Sequence, residues 1–390
     1  MIAVAVLALL AWLYLALLHG RFWQAGPMLA PSMPLQAPSV AVIVPARDEV
    51  AVVGDALRSL LAQDYPDYRV VLVDDASMDG TGALARGLGG DRLTVLDGAA
   101  RPPGWAGKLW AVAQGVAATD SEWLLLTDAD IVHDPAHLAT LVAQAERGGA
   151  DLVSEMVALN CASSAEHLLV PAFVYFFQLL YPFARVNDPA SRVAAAAGGT
   201  VLVRRAALER IGGIEAIRGA LIDDVTLATA VKRSVRDDRR NHVTAGHDER
   251  VIYGAGKIWL GHSALARSIR PYPHFSDVWR MVARSAYVQL KFSPLLLLGT
   301  MVGLALIFLA PPALALFASG AAFWAGLAAW ALMTATFLPT LRRFRLSPLW
   351  AVTLPAVAVF YMAATVWAAV DHHRGRGVVW KSRAYTERQA

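Results

Sequence analysis

The chain has 390 residues, of which 56% are hydrophobic and 17% charged, and its 35 basic and 31 acidic side chains leave a net charge of +4. That length can bury a large core and hold more than one structural unit, while a mean hydropathy of +0.45 is high for a wholly soluble protein. The modest basic excess comes with no nucleic-acid module, and the single cysteine, Cys161, excludes an intrachain disulfide and a cysteine metal cluster.

The apolar excess lies at the two ends. Residues 1–18, MIAVAVLALLAWLYLALL, carry no charge and are roughly long enough to cross a bilayer. HGRFWQAGPM follows in place of a small-residue cleavage site, which predicts a retained anchor over 1–20. Further long apolar stretches come after Phe292, at about 295–317, 320–340 and 348–370, the first interrupted by Pro311-Pro312. The basic loops at His19-Gly20-Arg21 and Leu341–Arg345 predict a cytoplasmic side for both, and with them for residues 21–292. Strict alternation of spans would place the basic tail, 371–390, outside, against the same rule. Either one C-terminal stretch is not a simple span or the tail departs from the rule.

Between the anchors, a Pro-rich linker over 21–38 (Pro27, Pro31, Pro34, Pro38) leads into SVAVIVPARDE, a β-branched run ending at Pro45. AVVGDALRSLLAQDYP then has helical spacing and stops at Pro66. YRVVLVDDASMDGT repeats the design of buried strand, two acids and polar turn, and TGALARGLGG reads as the next helix. RLTVLDG is a third strand, GKLWAVAQGVAA a helix, and EWLLLTDAD a fourth strand. Continuous apolar strands alternating with helices predict a parallel sheet covered on both faces. In such sheets ligands sit beyond the carboxyl ends of the strands, where Arg47, Asp48, Glu49, Asp74, Asp75, Asp128 and Asp130 all fall.

The acids at that edge limit the chemistry. No Gly-x-Gly-x-x-Gly follows the first strand and no Walker loop is present, so backbone amides are not set to cradle phosphate. If a nucleoside diphosphate binds, a metal held by carboxylates must neutralise it. Asp128-Ala129-Asp130 supplies hard oxygen ligands for Mg²⁺ or Mn²⁺, and Lys108 can add a point charge. Each piece alone also suits a plainer role: a solvated loop, a helix cap at Asp134-Pro135, a turn at Asp74-Asp75, a surface lysine. Their joint order carries the reading.

That order, strand–PARDE, strand–DDAS, GK-helix, strand–DAD, resembles the family-2 type of inverting nucleotide-sugar glycosyltransferases with the GT-A fold. The resemblance runs over roughly 39–290 and is nearest in kind to hopanoid-biosynthesis-associated glycosyltransferases, with ceramide and carotenoid glycosyltransferases more distant. It implies an α/β fold, a Rossmann-like mixed sheet flanked by transmembrane helices, with the catalytic domain over 39–270. By motif, it implies that Pro45, Arg47 and Glu49 line the nucleoside pocket and that Asp75 meets a uracil edge with Asp74 close by. Asp130 becomes the main metal ligand, with Asp128 reaching ribose or metal. GGTVLVRRAALERIGG resembles the donor-sugar and acceptor loop, placing Gly198, Gly199 and Thr200 at the site. It also implies the inner membrane of a bacterium, a cytoplasmic catalytic domain, a nucleotide-sugar donor and a membrane-lipid acceptor.

Inverting transfer needs a carboxylate to take the acceptor hydroxyl's proton. GALIDDVTLATAVKR supplies Asp223-Asp224 where the family usually has Glu-Asp, and Asp224 is the expected base, with burial side by side expected to raise the pKa of one of the pair. The same pair also reads as a cap and first-turn acid favoured by the helix dipole. The family's Gln-x-x-Arg-Trp is absent: FSDVWRMVARSAYVQL has Trp279-Arg280 in reversed order and a second arginine, Arg284. Over 271–293 it reads as an interfacial amphipathic helix, with Arg280 or Arg284 as candidate diphosphate ligands. The missing motif argues against a processive synthase. The tail's VVWKSRAY (Trp380, Lys381, Arg383, Tyr385) resembles a WKGR-type ending. His247 and His262 read as surface or packing residues. Two competing readings stand beside the enzyme: an inactive scaffold that keeps the fold, and a nucleotidyltransferase, which would carry a Gly-rich basic loop after its first strand.

Overall fold

The computed structural model describes residues 1–236, 254–375, 379–380 and 383–384. Lys381, Tyr385 and His247 lie outside them. The chain divides into two compact units, one of residues 27–158 and 185–270, the other of 1–26, 159–184 and 271–390.

The first unit is built on an eight-stranded sheet. Its strands are β1 (Val40–Ala46), β2 (Tyr68–Asp74), β3 (Leu93–Asp97), β4 (Trp123–Thr127), β5 (Ile131–His133), β6 (Leu152–Ala158), β7 (Thr200–Arg204) and β8 (Ile258–Ser268), in the order 3-2-1-4-7-6-8-5. The four strands expected from their apolar runs form the parallel half, β3-β2-β1-β4. The helices Val53–Leu61, Thr81–Leu88 and Gly107–Ala117 connect them. Every residue of β1 is buried, as a central strand covered on both faces requires. Removing a fully buried side chain from the neighbouring β2, as in Leu72→Ala, would cost about 2–5 kcal/mol of stability.

Beyond β4 the sheet departs from the purely parallel arrangement: β7 runs antiparallel to β4 and to β6, and β5 antiparallel to β8. The sheet is therefore mixed rather than purely parallel, as the resemblance implies. Part of the Pro-rich linker joins this unit, because His262 N–H donates to Pro27 O (2.8 Å) and Leu29 N–H to His262 O (2.7 Å). His262 is itself fully buried in packing.

The second unit is helical. Among the described residues, three of its helices are long and apolar enough to cross a membrane: Pro294–Phe317, Gly320–Arg343 and Pro348–His373. Two shorter apolar helices, Ile2–Leu17 and Ser164–Leu180, join them, and the second has no counterpart among the sequence expectations. Pro311-Pro312 explains a detail of the first long helix, a π-helical turn over Ala305–Leu309. The carbonyl of Ile307 would bond the amide four residues on in an α-helix or five on in a π-turn, and both positions are prolines without an N–H. Trp12 fills that gap, its indole N–H donating to Ile307 O at 2.6 Å. The helix Phe275–Gln289 starts with a capping box between His274 and Asp277, and Trp279 packs edge-on against Phe360 and Trp367.

Candidate active site

The carboxyl ends of β1 and β2 carry two loops bonded into one another. Asp48 N–H donates to Ser77 Oγ (3.0 Å), Met78 N–H to Asp48 Oδ1 (2.9 Å), Glu49 N–H to Thr81 Oγ1 (2.8 Å) and Val50 N–H to Asp79 Oδ2 (3.0 Å). Asp48 and Ala76 hold positive φ there, 50° and 54°, a conformation that L-residues keep only when the surroundings fix it. Asp74 belongs to this frame: it accepts Ser77 N–H at 3.0 Å, and a Cβ on Gly82 would stand 2.2 Å from its Oδ2. Only glycine lets the helix Thr81–Leu88 start so close to that carboxylate. Asp75, 3% exposed, faces the Arg47 guanidinium at 3.6 Å.

The opening acids of the fourth strand's motif each have a resident cation. Lys108, at the start of the helix Gly107–Ala117, reaches Asp128 Oδ1 at 2.9 Å and Asp223 Oδ2 at 3.0 Å. Desolvation works against its ammonium, but the two aspartates outweigh it and hold Lys108 charged, above the ordinary lysine range. Asp130 is held by Arg270, whose Nε lies 2.6 Å from Asp130 Oδ2 and whose Nη2 donates to both oxygens of Glu49, at 2.8 and 2.7 Å. Nothing in the sequence pattern singles out Arg270, which lies just beyond β8.

Asp223 and Asp224 open the helix Asp223–Arg233. One pocket brings together Pro45, Lys108, Asp128, Gly198, Asp223 and Asp224. Burial, and then the charge of Asp223, push the Asp224 carboxyl up to about 7, against the opposing pull of Lys108 and the Val225 amide. A Cβ on Gly198 would come 3.1 Å from Asp224 Oδ2, so this glycine lets the loop close over the acid. Asp128 is likewise held above the usual carboxylate range by its recessed position, with Lys108 opposing and Asp130 adding to the shift.

Thr200, expected at the site, turns inward instead and donates to the buried Glu155 (3.2 Å). It ends a polar chain behind the Asp128-Ala129-Asp130 turn. Thr127 Oγ1 donates to Gly199 O at 2.9 Å and lies 3.2 Å from His133 Nε2, His133 Nδ1 is 3.0 Å from His137 Nδ1, and His137 Nε2 meets Glu155 Oε1. Donor counting sets its direction. With the Thr127 proton on Gly199 O, His133 must donate from Nε2 and accept at Nδ1, so His137 donates from Nδ1 and turns its Nε2 to Glu155. Burial, then His137, keep His133 neutral by pushing its pKa well below the usual value. Gly199 is thereby fixed from beneath. Arg280 pairs with Asp277 at 2.7 Å in the helical unit and stands exposed, as does Arg284.

A divalent cation fits the donor set in charge and in ligand chemistry. Asp128, Asp223, Asp130 and Glu49 are four carboxylates sharing two cations, and the excess of two negative charges is what one divalent ion neutralises. Among the described residues no three His, Cys, Asp or Glu side chains converge to hold a metal by themselves. Mg²⁺-type sites commonly take one or two carboxylates and draw the remaining ligands from phosphate and water.

Residues 41–212 match the family model described as Glycosyl transferase family 2, a stretch that runs through most of the sheet unit. The chain is 34% identical over 93 residues to a 4,4'-diaponeurosporenoate glycosyltransferase of Staphylococcus aureus, a match covering 24% of each protein. It is 26% identical over 254 residues to a β-monoglucosyldiacylglycerol synthase of Trichormus variabilis, covering 64% of this chain and 52% of that one. The matched stretches thus span between a quarter and about half of these relatives. Among solved structures, the mannosyltransferase PcManGT from Pyrobaculum calidifontis, in complex with GDP-Man and Mn²⁺, superimposes with a TM-score of 0.52 at 21% identity, over 94% of this chain and 98% of that one. That likeness establishes the GT-A fold.

Proposed function

Taking the family-2 glycosyltransferase domain as premise, we propose that the protein is a membrane-bound inverting glycosyltransferase. It moves one sugar from a nucleotide donor, UDP-linked in this reading, to the hydroxyl of a lipid at the cytoplasmic face of a bacterial inner membrane. The acceptor class is a polyisoprenoid, a hopanoid among them, on the strength of the motif resemblance. The relatives named as a 4,4'-diaponeurosporenoate glycosyltransferase and a β-monoglucosyldiacylglycerol synthase support a lipid acceptor, and the three long apolar helices support a membrane location.

The observation that carries the reading is Asp224. A carboxyl held near 7, in one pocket with Lys108 and Asp128, is placed and tuned to accept a proton at neutral pH. In the reaction the acceptor oxygen attacks the anomeric carbon from the face opposite the leaving diphosphate, and Asp224 takes the hydroxyl proton as the new C–O bond forms. The donor's C–O bond breaks, and its electron pair leaves with the diphosphate. Lys108 sits where that negative charge grows and stabilises it. Asp130 and Asp128 would hold Mn²⁺ or Mg²⁺, which when bound supplies further positive charge to the departing group. Arg47, Asp75, Glu49 and Pro45 form the nucleoside side of the site.

Deleting the gene and comparing extracted lipids by mass spectrometry tests this. Loss of a lipid carrying a hexose-sized or pentose-sized increment is expected. An unchanged lipid profile, with no sugar transfer by the purified protein, would overturn the reading.

A further inference from the structure

The site has room in its charge balance for a divalent cation, but the carboxylate that would hold it is already taken. We propose that Arg270 is an internal competitor for that cation: it occupies Asp130 in the donor-free protein and moves to the donor's diphosphate, so that metal and nucleotide bind together. The proposal rests on reading this sheet edge as a nucleotide-sugar site.

Four observations lead to it. Arg270 is tied by its backbone neighbours, since Ile269 N–H donates to Asp130 O at 2.9 Å and Arg270 N–H to Ser268 Oγ at 3.3 Å. Pro271 follows and restricts the Arg270 backbone to extended conformations, so only the side chain is left to move. The guanidinium is 30% exposed while the side chains of Asp130 and Glu49 are 10% and 11% exposed, so it caps two recessed acids from the open side. Finally, Arg270 grips Asp130 and Glu49 as a fork, whereas Lys108 lies deeper between Asp128 and Asp223.

The physical consequence is a conflict of like charges. A divalent ion on Asp130 would sit within a few ångströms of the guanidinium, and such a pair repels strongly in a partly desolvated cleft. Removing the guanidinium with nothing in exchange takes from the recessed Glu49 a cation held at 2.7 Å, which is also costly. A nucleoside diphosphate resolves both. Its oxygens form the planar bidentate pair a guanidinium prefers and also complete the metal's shell. Arg270 is therefore a positioning and gating residue, distinct from the base.

Mn²⁺ binding to the full-length protein in lipid nanodiscs, read by electron paramagnetic resonance against nucleotide-only controls, tests the idea without turnover. Wild type is expected to bind Mn²⁺ alone weakly and to bind it about tenfold or more tightly with UDP or GDP present. Arg270→Gln should bind Mn²⁺ alone about tenfold more tightly than wild type and show less gain from nucleotide. Arg270→Lys, which keeps a cation, should stay close to wild type without nucleotide. If Arg270→Gln binds Mn²⁺ alone no more tightly than wild type, or if wild type shows no coupling between Mn²⁺ and nucleotide, the proposal is wrong. Absence of coupling in the wild type overturns the proposal even if the variant fails to fold. Wild type that binds neither Mn²⁺ nor either nucleotide would overturn the reading of the site itself, and the proposal with it.

Discussion

At the carboxyl edge of the sheet, acids are crowded together and four of them are answered by two shared cations. Lys108 stands between Asp128 and Asp223, and Arg270 between Asp130 and Glu49. In the helical unit the polar atoms left over by the backbone are answered one by one with neutral groups. Trp12 bonds the Ile307 carbonyl stranded by two prolines, and the Tyr361 hydroxyl donates to Leu169 O at 2.9 Å. Neutral closure suits an apolar surrounding, where every unsatisfied group is expensive. Shared cations suit a site that must exchange partners, because a charge held by two acids can be recruited by a third. The first arrangement maintains a structure, and the second keeps a site ready for a charged ligand.

Asp224→Asn strikes the polar edge hardest: transfer should fall by about 10²–10⁴-fold with donor binding kept, as for loss of a general base. Retained binding with near-normal turnover in a membrane assay would remove the base assignment. Lys108→Met comes next. It leaves Asp128 and Asp223 repelling each other where the diphosphate must dock, so kcat/KM for the donor should drop roughly tenfold to a hundredfold. A third effect follows from protonation. Asp224 is raised to about 7 and must be ionised to act, so the rate should rise with pH through that value. Below it the rate should fall about tenfold per unit. A flat profile between pH 6 and 8, with chemistry rate-limiting, would contradict this. The helical unit gives the smallest effect: Trp12→Phe removes one hydrogen bond and should cost about 1 kcal/mol. That is a lower thermal midpoint in detergent with transfer per folded molecule unchanged.

The parallel half of the sheet was legible because its strands are unbroken apolar runs punctuated by Pro45, Asp74-Asp75 and Asp128. The antiparallel half was not. β6 carries Ser154 and Glu155 and β8 carries Gly261, His262 and Ser263, all within strands whose polar atoms are buried by long-range partners. Periodicity reports faces toward solvent or core and is blind to polar side chains satisfied inside. The helix Ser164–Leu180 escaped for a similar reason, with Pro171 inside its apolar run. The pairing of Asp128 and Asp223 with Lys108 was foreseeable in kind, since crowded acids call for a cation. Arg270 was not, because its partners Asp130 and Glu49 lie 140 and 221 residues away along the chain. The chain from Thr127 through His133 and His137 to Glu155 likewise exists only once β4, β5 and β6 are assembled.

The most direct test is transfer of labelled sugar from a nucleotide donor into lipid by the full-length protein reconstituted in liposomes containing polyisoprenoid alcohols. Wild type and Asp130→Ala would be compared with and without Mn²⁺. Cation-dependent labelling of lipid by wild type, lost in Asp130→Ala, is the predicted result. Wild type that responds to no divalent cation and no activated sugar, or Asp130→Ala that labels lipid as well as wild type, would contradict the account.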